Sequence, residues 1–349
     1  MSETGIQDQQ REREVRHRDR VSQMPIYLGK QLRFFINESD WKVIPMAAII
    51  AGLVGMVIRN KLFINMEGGL IGAFALTCVG IWNGCFNSIQ SVCRERAIIK
   101  REHRSGMHIS SYMAAHMIYQ LLLCLIQTVV TMYVLYLMGV QFPDHGVMTR
   151  WMILDIGITI LLVSYASDML SLFISSFSRT TTSAMTIMPF ILIFQLVFSG
   201  GIIPLPEWTK PLSYFTISNY GIQAIAAQSG YNELPMVTTW NTIEGMMDQE
   251  IDIAGTAEKL LEAVDYPVPE DYLETLSEHT LTVGELIEVF GEDQIKDFVQ
   301  TATARAARRE EFETDPFNIA TNWIMLGVFT VVFALLATIS LELIDKDKR

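Results

Sequence analysis

The chain is poor in the residues from which catalytic and metal centres are usually built. It has six histidines and four cysteines in 349 residues, and neither set clusters. His17, His103, His108, His116, His145 and His279 are scattered, and Cys78, Cys85, Cys93 and Cys124 follow no zinc-ligand spacing. No metal site is expected, and no disulfides, because no cysteine falls in the long polar segment. The GxxxxGK[ST] phosphate loop is missing, so this chain is not expected to hydrolyse a nucleotide by P-loop chemistry. HExxH and GxSxG are missing too, which removes zinc-peptidase and serine-hydrolase mechanisms. The polar first 23 residues hold no apolar run and no cleavage site, so no signal peptide is expected.

Apolar sequence is abundant. Half of the residues are hydrophobic, and they gather in long blocks rather than the period-matched stripes of a soluble core. Six blocks reach the roughly 17–25 residues that cross a bilayer core: 41–58, 68–91, 109–140, 151–177, 181–203 and 319–344. The expected fold is an all-α polytopic membrane protein with six transmembrane helices. An even number of spans places both ends on one side, and the Lys/Arg bias makes that side cytoplasmic. Residues 1–23 then form an Arg-rich cytoplasmic tail with at most weak affinity for anionic lipid. Residues 24–41 mix aromatics with Lys30 and Arg33 and suit an amphipathic helix in the membrane interface. Residues 42–203 hold the first five spans, and 317–349 the sixth span and a cytoplasmic end.

The net charge of −12 is unevenly spread. Residues 204–316, between the last two spans, hold 22 of the 38 Asp/Glu against six Lys/Arg. A segment this long crosses largely regardless of its charge. Its first part, 204–231, is aromatic and half-apolar and reads as short helices re-entering the outer leaflet, packed on protein. The remainder, 232–316, is an acidic extracellular insertion in which residues 282–309 are helix-like.

The stretch 80–113 organises the rest. It opens as an apolar helix and becomes a block with Arg94, Arg96, Lys100, Arg101, Arg104, Glu95 and Glu102 before breaking at Ser105-Gly106. A span that leaves the membrane, makes a charged helix over 94–106 and returns explains this order, and Gly106 suits the helix end. A loop that only sets topology needs positive charge. Glu95 and Glu102 lie seven apart, on one helix face, and suggest a surface that docks something.

Two polar stripes cross the apolar blocks. Gly80, Asn83, Asn87, Gln90 and Arg94 share a face of the second span, and Ser164, Asp168, Ser171 and Ser175 share one of the fourth. Such stripes line a route or hydrogen-bond packed helices; Asn83 and Asn87 fit either, whereas Asp168 and His116 suit packing. Asp155 lies near the outer end of the fourth span and is expected to reach water. The fifth span carries Pro189 and closes in Ser199-Gly-Gly-Ile-Ile-Pro204. Ile202 and Ile203 then sit at the outer mouth, where two subunits would close a dry constriction.

Four stretches in order give the chain a family likeness: CRERAIIKREHRSGMHISSYM, LLVSYASDMLSLFISS, PFILIFQLVFSGGIIPLPEW and YFTISNYGIQAIAAQSGYNEL. Together the chain resembles the membrane domain of type-2 ABC exporters, the ABCG-like (White) class and its bacterial relatives. The resemblance implies a connecting helix at 24–41 with Lys30 and Arg33. It implies a coupling helix at 94–106 whose Glu95, Arg96, Glu102 and Arg104 sit on an ATPase. It places Asn83 and Phe86, with Asn87 beside them, on the substrate-facing part of the second span. Ile193 and Leu196 fall on the cavity-facing part of the fifth, and Ile202 and Ile203 at the family's external plug. The implied protein is no enzyme but a permease half-transporter in the cell membrane, paired with a second copy or a homologous permease. A separate ABC ATPase chain would bring ATP and Mg, and the cargo would be amphipathic or lipid-like and move outward. The long acidic insertion and the absent fused ATPase depart from eukaryotic members and fit a bacterial relative. The alternative is a membrane sensor or signalling subunit acting through 232–316. Membrane lipids are expected partners and nucleic acid is not; an ion-coupled secondary transporter is disfavoured, because the spanning halves show no repeat.

Overall fold

The computed structural model describes residues 20–37, 40–201, 205–251 and 281–343. Helix α1 (Arg20–Asn37) leads through a single turn at Asp40–Lys42 into α2 (Val43–Ile58), α3 (Met66–Ser88), α4 (Ser91–Arg104), α5 (Ile109–Leu137), α6 (Met152–Phe177) and α7 (Thr181–Val197). Short helices α8 (Lys210–Ser213), α9 (Ile217–Gln228) and α10 (Thr238–Glu244) follow. After them come α11 (Val283–Phe290), α12 (Glu292–Ala307) and the long α13 (Pro316–Leu343). Among the described residues, four helical stretches are long and apolar enough to cross a membrane: α3 with its continuation α4, α5, α6 and α13. Two shorter apolar helices, α2 and α7, have 16 and 17 residues.

Local chemistry sets several helix ends. The Asn65 side chain accepts the Gly68 N–H at the start of α3, and Thr180 accepts the Ser183 N–H at the start of α7. Pro45 sits in the first turn of α2, where its missing N–H costs nothing. Gly106 adopts φ +105° after α4. The Met107 N–H there reaches back to the Glu102 carbonyl and the Gly106 N–H to that of His103, a Schellman closure.

Helix α6 is the hub, packed against α3, α13, α9 and α5. Its stripe of Ser164, Asp168, Ser171 and Ser175 is wholly buried in those contacts rather than lining a route. Small residues on α3 make this possible. A Cβ on Gly84 would collide with the Ser164 carbonyl oxygen, so the two backbones touch. The Ser175 hydroxyl receives the N–H groups of Val92 and Cys93 at the start of α4.

Several boundaries differ from those expected. The interfacial helix starts four residues early, at Arg20, and stops at Asn37, short of Trp41. The charged helix starts at Ser91 rather than residue 94. The fifth apolar helix ends at Val197, because Gly200 turns the chain with φ +69°. Residues 1–19, residues 252–280 of the insertion and the expected gate pair Ile202 and Ile203 lie outside the described residues. Asp155 does not reach water: it is fully buried, and its carboxylate receives the Met148 and Thr149 N–H groups at 2.8 Å each. These loop donors fold over the N-terminal turn of α6 and pair a carboxylate that would otherwise be buried alone.

The segment between α7 and α13 is partly built into the bundle. Helix α9 is buried between α3, α6 and α13. The Glu67 carboxylate receives the Val237 and Thr238 N–H groups at the start of α10. The helix-like stretch 282–309 is two helices, broken at Gly291 with φ +87°. One departure from an all-helical fold occurs here: Glu250–Ile251 and Leu281–Thr282 pair as a two-residue antiparallel ladder.

Candidate functional site

The charged helix α4 is held from two sides. From α1, Lys30 Nζ reaches Glu95 Oε2 at 3.4 Å and Glu102 Oε1 at 3.3 Å. Two carboxylates one heptad apart thus share one ammonium. Gln23, one face-repeat before Lys30, donates to the Gly106 carbonyl and accepts the His108 N–H, fastening α1 to the turn that ends α4. From α6, the C-terminal carbonyls of Ser176 and Ser178 accept from Arg96 Nη1, a cation at a helix C-terminus.

These ties decide which face points outward. Glu95 is 6 % exposed and points inward. Burial raises its carboxyl above the ordinary range, and Lys30 pulls it back. Burial, with Glu102 nearby, also raises the Tyr27 phenol on α1. The paired carboxylates therefore dock the chain's own α1. The outward stripe is Arg94, Ala97, Ile98, Arg101 and Arg104, at helical spacing and mostly basic. Of the residues assigned to an ATPase contact, Arg104 stands on that stripe, Glu102 is half-buried on Lys30, and Arg96 and Glu95 are structural ties. Arg33 is exposed on α1.

The route residues separate. Asn83 is buried in α3. Asn87 is paired across helices: its amide donates to Gln127 Oε1 at 2.8 Å and accepts from Gln127 Nε2 at 3.0 Å. Phe86 is exposed, as are Phe190, Ile193 and Val197 on α7, and Leu196 is half-buried. Phe86 and Met185 share the wall of one cavity, so the lower parts of α3 and α7 do meet across a common space. Ile193 and Leu196 do not join it.

Sequence reasoning missed the shared ammonium of Lys30 and the Gln23 clamp. Both join segments more than 70 residues apart, and single-sequence periodicity carries no signal across such a gap. It also missed Arg309, whose Nη1 donates to the Gly200 and Gly201 carbonyls at the break after α7.

Comparison with known proteins bears on what this arrangement serves. The family model described as ABC-2 type transporter matches residues 35–228, more than half of the chain. The ABC transporter ATP-binding/permease protein Rv1747 of Mycobacterium tuberculosis is 25 % identical over 223 residues, covering 60 % of this chain and 26 % of the relative. The broad substrate specificity ATP-binding cassette transporter ABCG2 of Sus scrofa is 28 % identical over 173 residues, covering 46 % and 26 %. The chain thus spans about a quarter of the length of either relative.

Proposed function

The chain belongs to the ABC-2 type transporter family, and from that premise we propose that it is the permease subunit of an ATP-driven exporter in the cell membrane. Two permease copies, or this chain and a homologous permease, face each other. A separate ATPase chain binds ATP and Mg and drives the cycle. All six apolar helices cross the bilayer, α2 and α7 included: at 1.5 Å per residue they are about 25 Å long, near the thickness of the hydrocarbon core. Both termini are cytoplasmic.

The observation that carries this reading is α4. It is a short amphipathic helix beyond the end of a span, with its carboxylates spent on α1 and a basic stripe turned outward. Such a helix transmits force, because Lys30, Gln23 and Arg96 fix it to α1, α5 and α6. A partner that pushes on the stripe moves the elbow as one body. The space between α3 and α7 of the facing copies then switches from inward to outward access, and Ile202 and Ile203 form the outer gate. An amphipathic or lipid-like cargo fits the exposed Phe86, Phe190 and Ile193.

Affinity capture of the tagged chain in mild detergent tests this. A P-loop chain that hydrolyses ATP co-purifies with the wild type and is lost from the Arg101→Glu, Arg104→Glu variant. Glu102→Ala keeps the ATPase but lowers substrate-stimulated hydrolysis, because the Lys30 bridge loses one arm. Capture that survives the double reversal removes the stripe from the contact. A sensor role for the acidic segment is the second reading, favoured by the Glu67 and Arg309 ties that join it to the bundle. A ligand for that segment, together with hydrolysis insensitive to any substrate, would establish it instead.

A further inference from the structure

A cavity of about 220 Å³ lies where α3 kinks into α4, walled by α1, α4 and α5 and opening beside Phe86 and Met185. Its lining is unusually polar for a membrane bundle: Gln31, Asn87, Arg94, Glu95, His116 and Gln120. His116 and Gln120 are 2 % and 1 % exposed, yet His116 Nδ1 and Gln120 Oε1 have no hydrogen-bond partner. The other nitrogens do not relieve this, since Gln120 Nε2 is 3.5 Å from both the Asn87 carbonyl and His116 Nε2. Buried polar atoms are normally paired, and an orphan asks for a ligand or water. Asp168, between α3 and α6, has unpartnered carboxylate oxygens too, but it is not part of this cavity's wall, as His116 and Gln120 are.

We infer that this cavity is a subsite for the uncharged, hydroxyl-bearing headgroup of an amphipathic molecule, whose tail lies along Phe86 and Met185. The inference deepens the transport reading and rests on it for the role of the site, not for its existence. The volume is below the several hundred Å³ of a whole-ligand pocket and suits a headgroup. The lining mixes donors and acceptors: the Gln31 and Gln120 amides, the imidazole and the Arg94 guanidinium. Hydroxyls, which both donate and accept, satisfy such a set. A cationic head would meet Arg94 with Lys30 close behind. An anionic head would meet Glu95, already shared with Glu102 around one ammonium.

The test uses the full chain alone in phosphatidylcholine nanodiscs, so that it is independent of any ATPase. The probe is octyl glucoside carrying a diazirine beside the sugar, followed by peptide mapping. Saturable labelling of the first half of α5 is expected. Octyl sulfate and octyl trimethylammonium should compete about tenfold more weakly than unlabelled octyl glucoside, the factor lost with one well-placed hydrogen bond. Gln120→Leu and His116→Phe should each weaken labelling about tenfold or more. The thermal transition of Gln120→Leu should stay at or above wild type, since the change removes an orphaned group without changing much volume. Non-saturable labelling, labelling unchanged in both variants, or equal competition by either charged analogue overturns the proposal. The ATPase capture described above would stand in each of those cases.

Discussion

Helices α6 and α7 are neighbours of similar apolar character, and the structure uses them in opposite ways. Helix α6 carries two aspartates and a run of serines, and 17 of its 26 residues are buried. Helix α7 is rich in large aliphatic and aromatic side chains, yet it buries only Ala184, Met188 and Gln195. In water the assignment would be reversed. In a bilayer the lipid is as apolar as leucine, so helices associate through close backbone approach and hydrogen bonds, and large apolar side chains are left for lipid or another subunit. Small polar residues gather inside this bundle beside buried Ile156, Ile160 and Leu172, and the bulky side chains of α7 lie on its outside.

The sharpest way to break that comparison is to enlarge the smallest residue at the α3–α6 contact. Gly84→Ala drives a methyl group into the Ser164 carbonyl oxygen. The obstacle is backbone, which cannot rotate away, so a loss of about 3 kcal/mol or more is expected. It would be read as loss of monodisperse protein and a collapsed thermal transition in detergent. A variant as stable as wild type would mean that α6 is not the packed hub.

A smaller effect is expected where α7 touches the bundle. Gln195 is its polar anchor: Oε1 receives the N–H groups of Ile217 and Ser218 at 2.8 and 3.2 Å, capping the buried start of α9. Gln195→Leu keeps the volume and orphans both donors, for a loss of about 1–3 kcal/mol. Gln195→Glu keeps the acceptor and should recover most of it. The check is a thermal transition for each variant, with hydrogen exchange at Ile217 and Ser218 rising in the leucine variant alone.

How much of this was readable in the sequence follows the same division. The apolar blocks were legible as helices, four of them long enough to cross a bilayer among the described residues, and the end at Gly106 was legible because glycine suits that backbone. Glu95 and Glu102 were correctly placed on one face, since seven residues make two turns. Their partner was not legible. Lys30 meets them through a tertiary contact, and a carboxylate facing its own chain has the same spacing as one facing another. Asp155 failed for a related reason: its depth along α6 was read correctly, but the loop that folds over it to donate two N–H groups leaves no periodic trace. The His116 and Gln120 cavity needs three helices to exist at all.

The smallest effect on the chain itself is expected on the open face of α7. Phe190 and Ile193 are 72 % and 58 % exposed, so removing their side chains takes away little that the single chain buries. The double variant Phe190→Ala, Ile193→Ala should shift stability by no more than about 0.5 kcal/mol, as surface substitutions do. If this face meets a second copy, the same variant should weaken assembly instead, seen by light scattering as a shift from the larger species to the single chain in detergent. A shift in the thermal transition worth about 2 kcal/mol, the cost of truncating a packed core side chain, would show that α7 is buried after all. The contrast with α6 would then fail. An unchanged transition with lost assembly would show that the bulky apolar residues on the open face of α7 are reserved for contacts outside the chain.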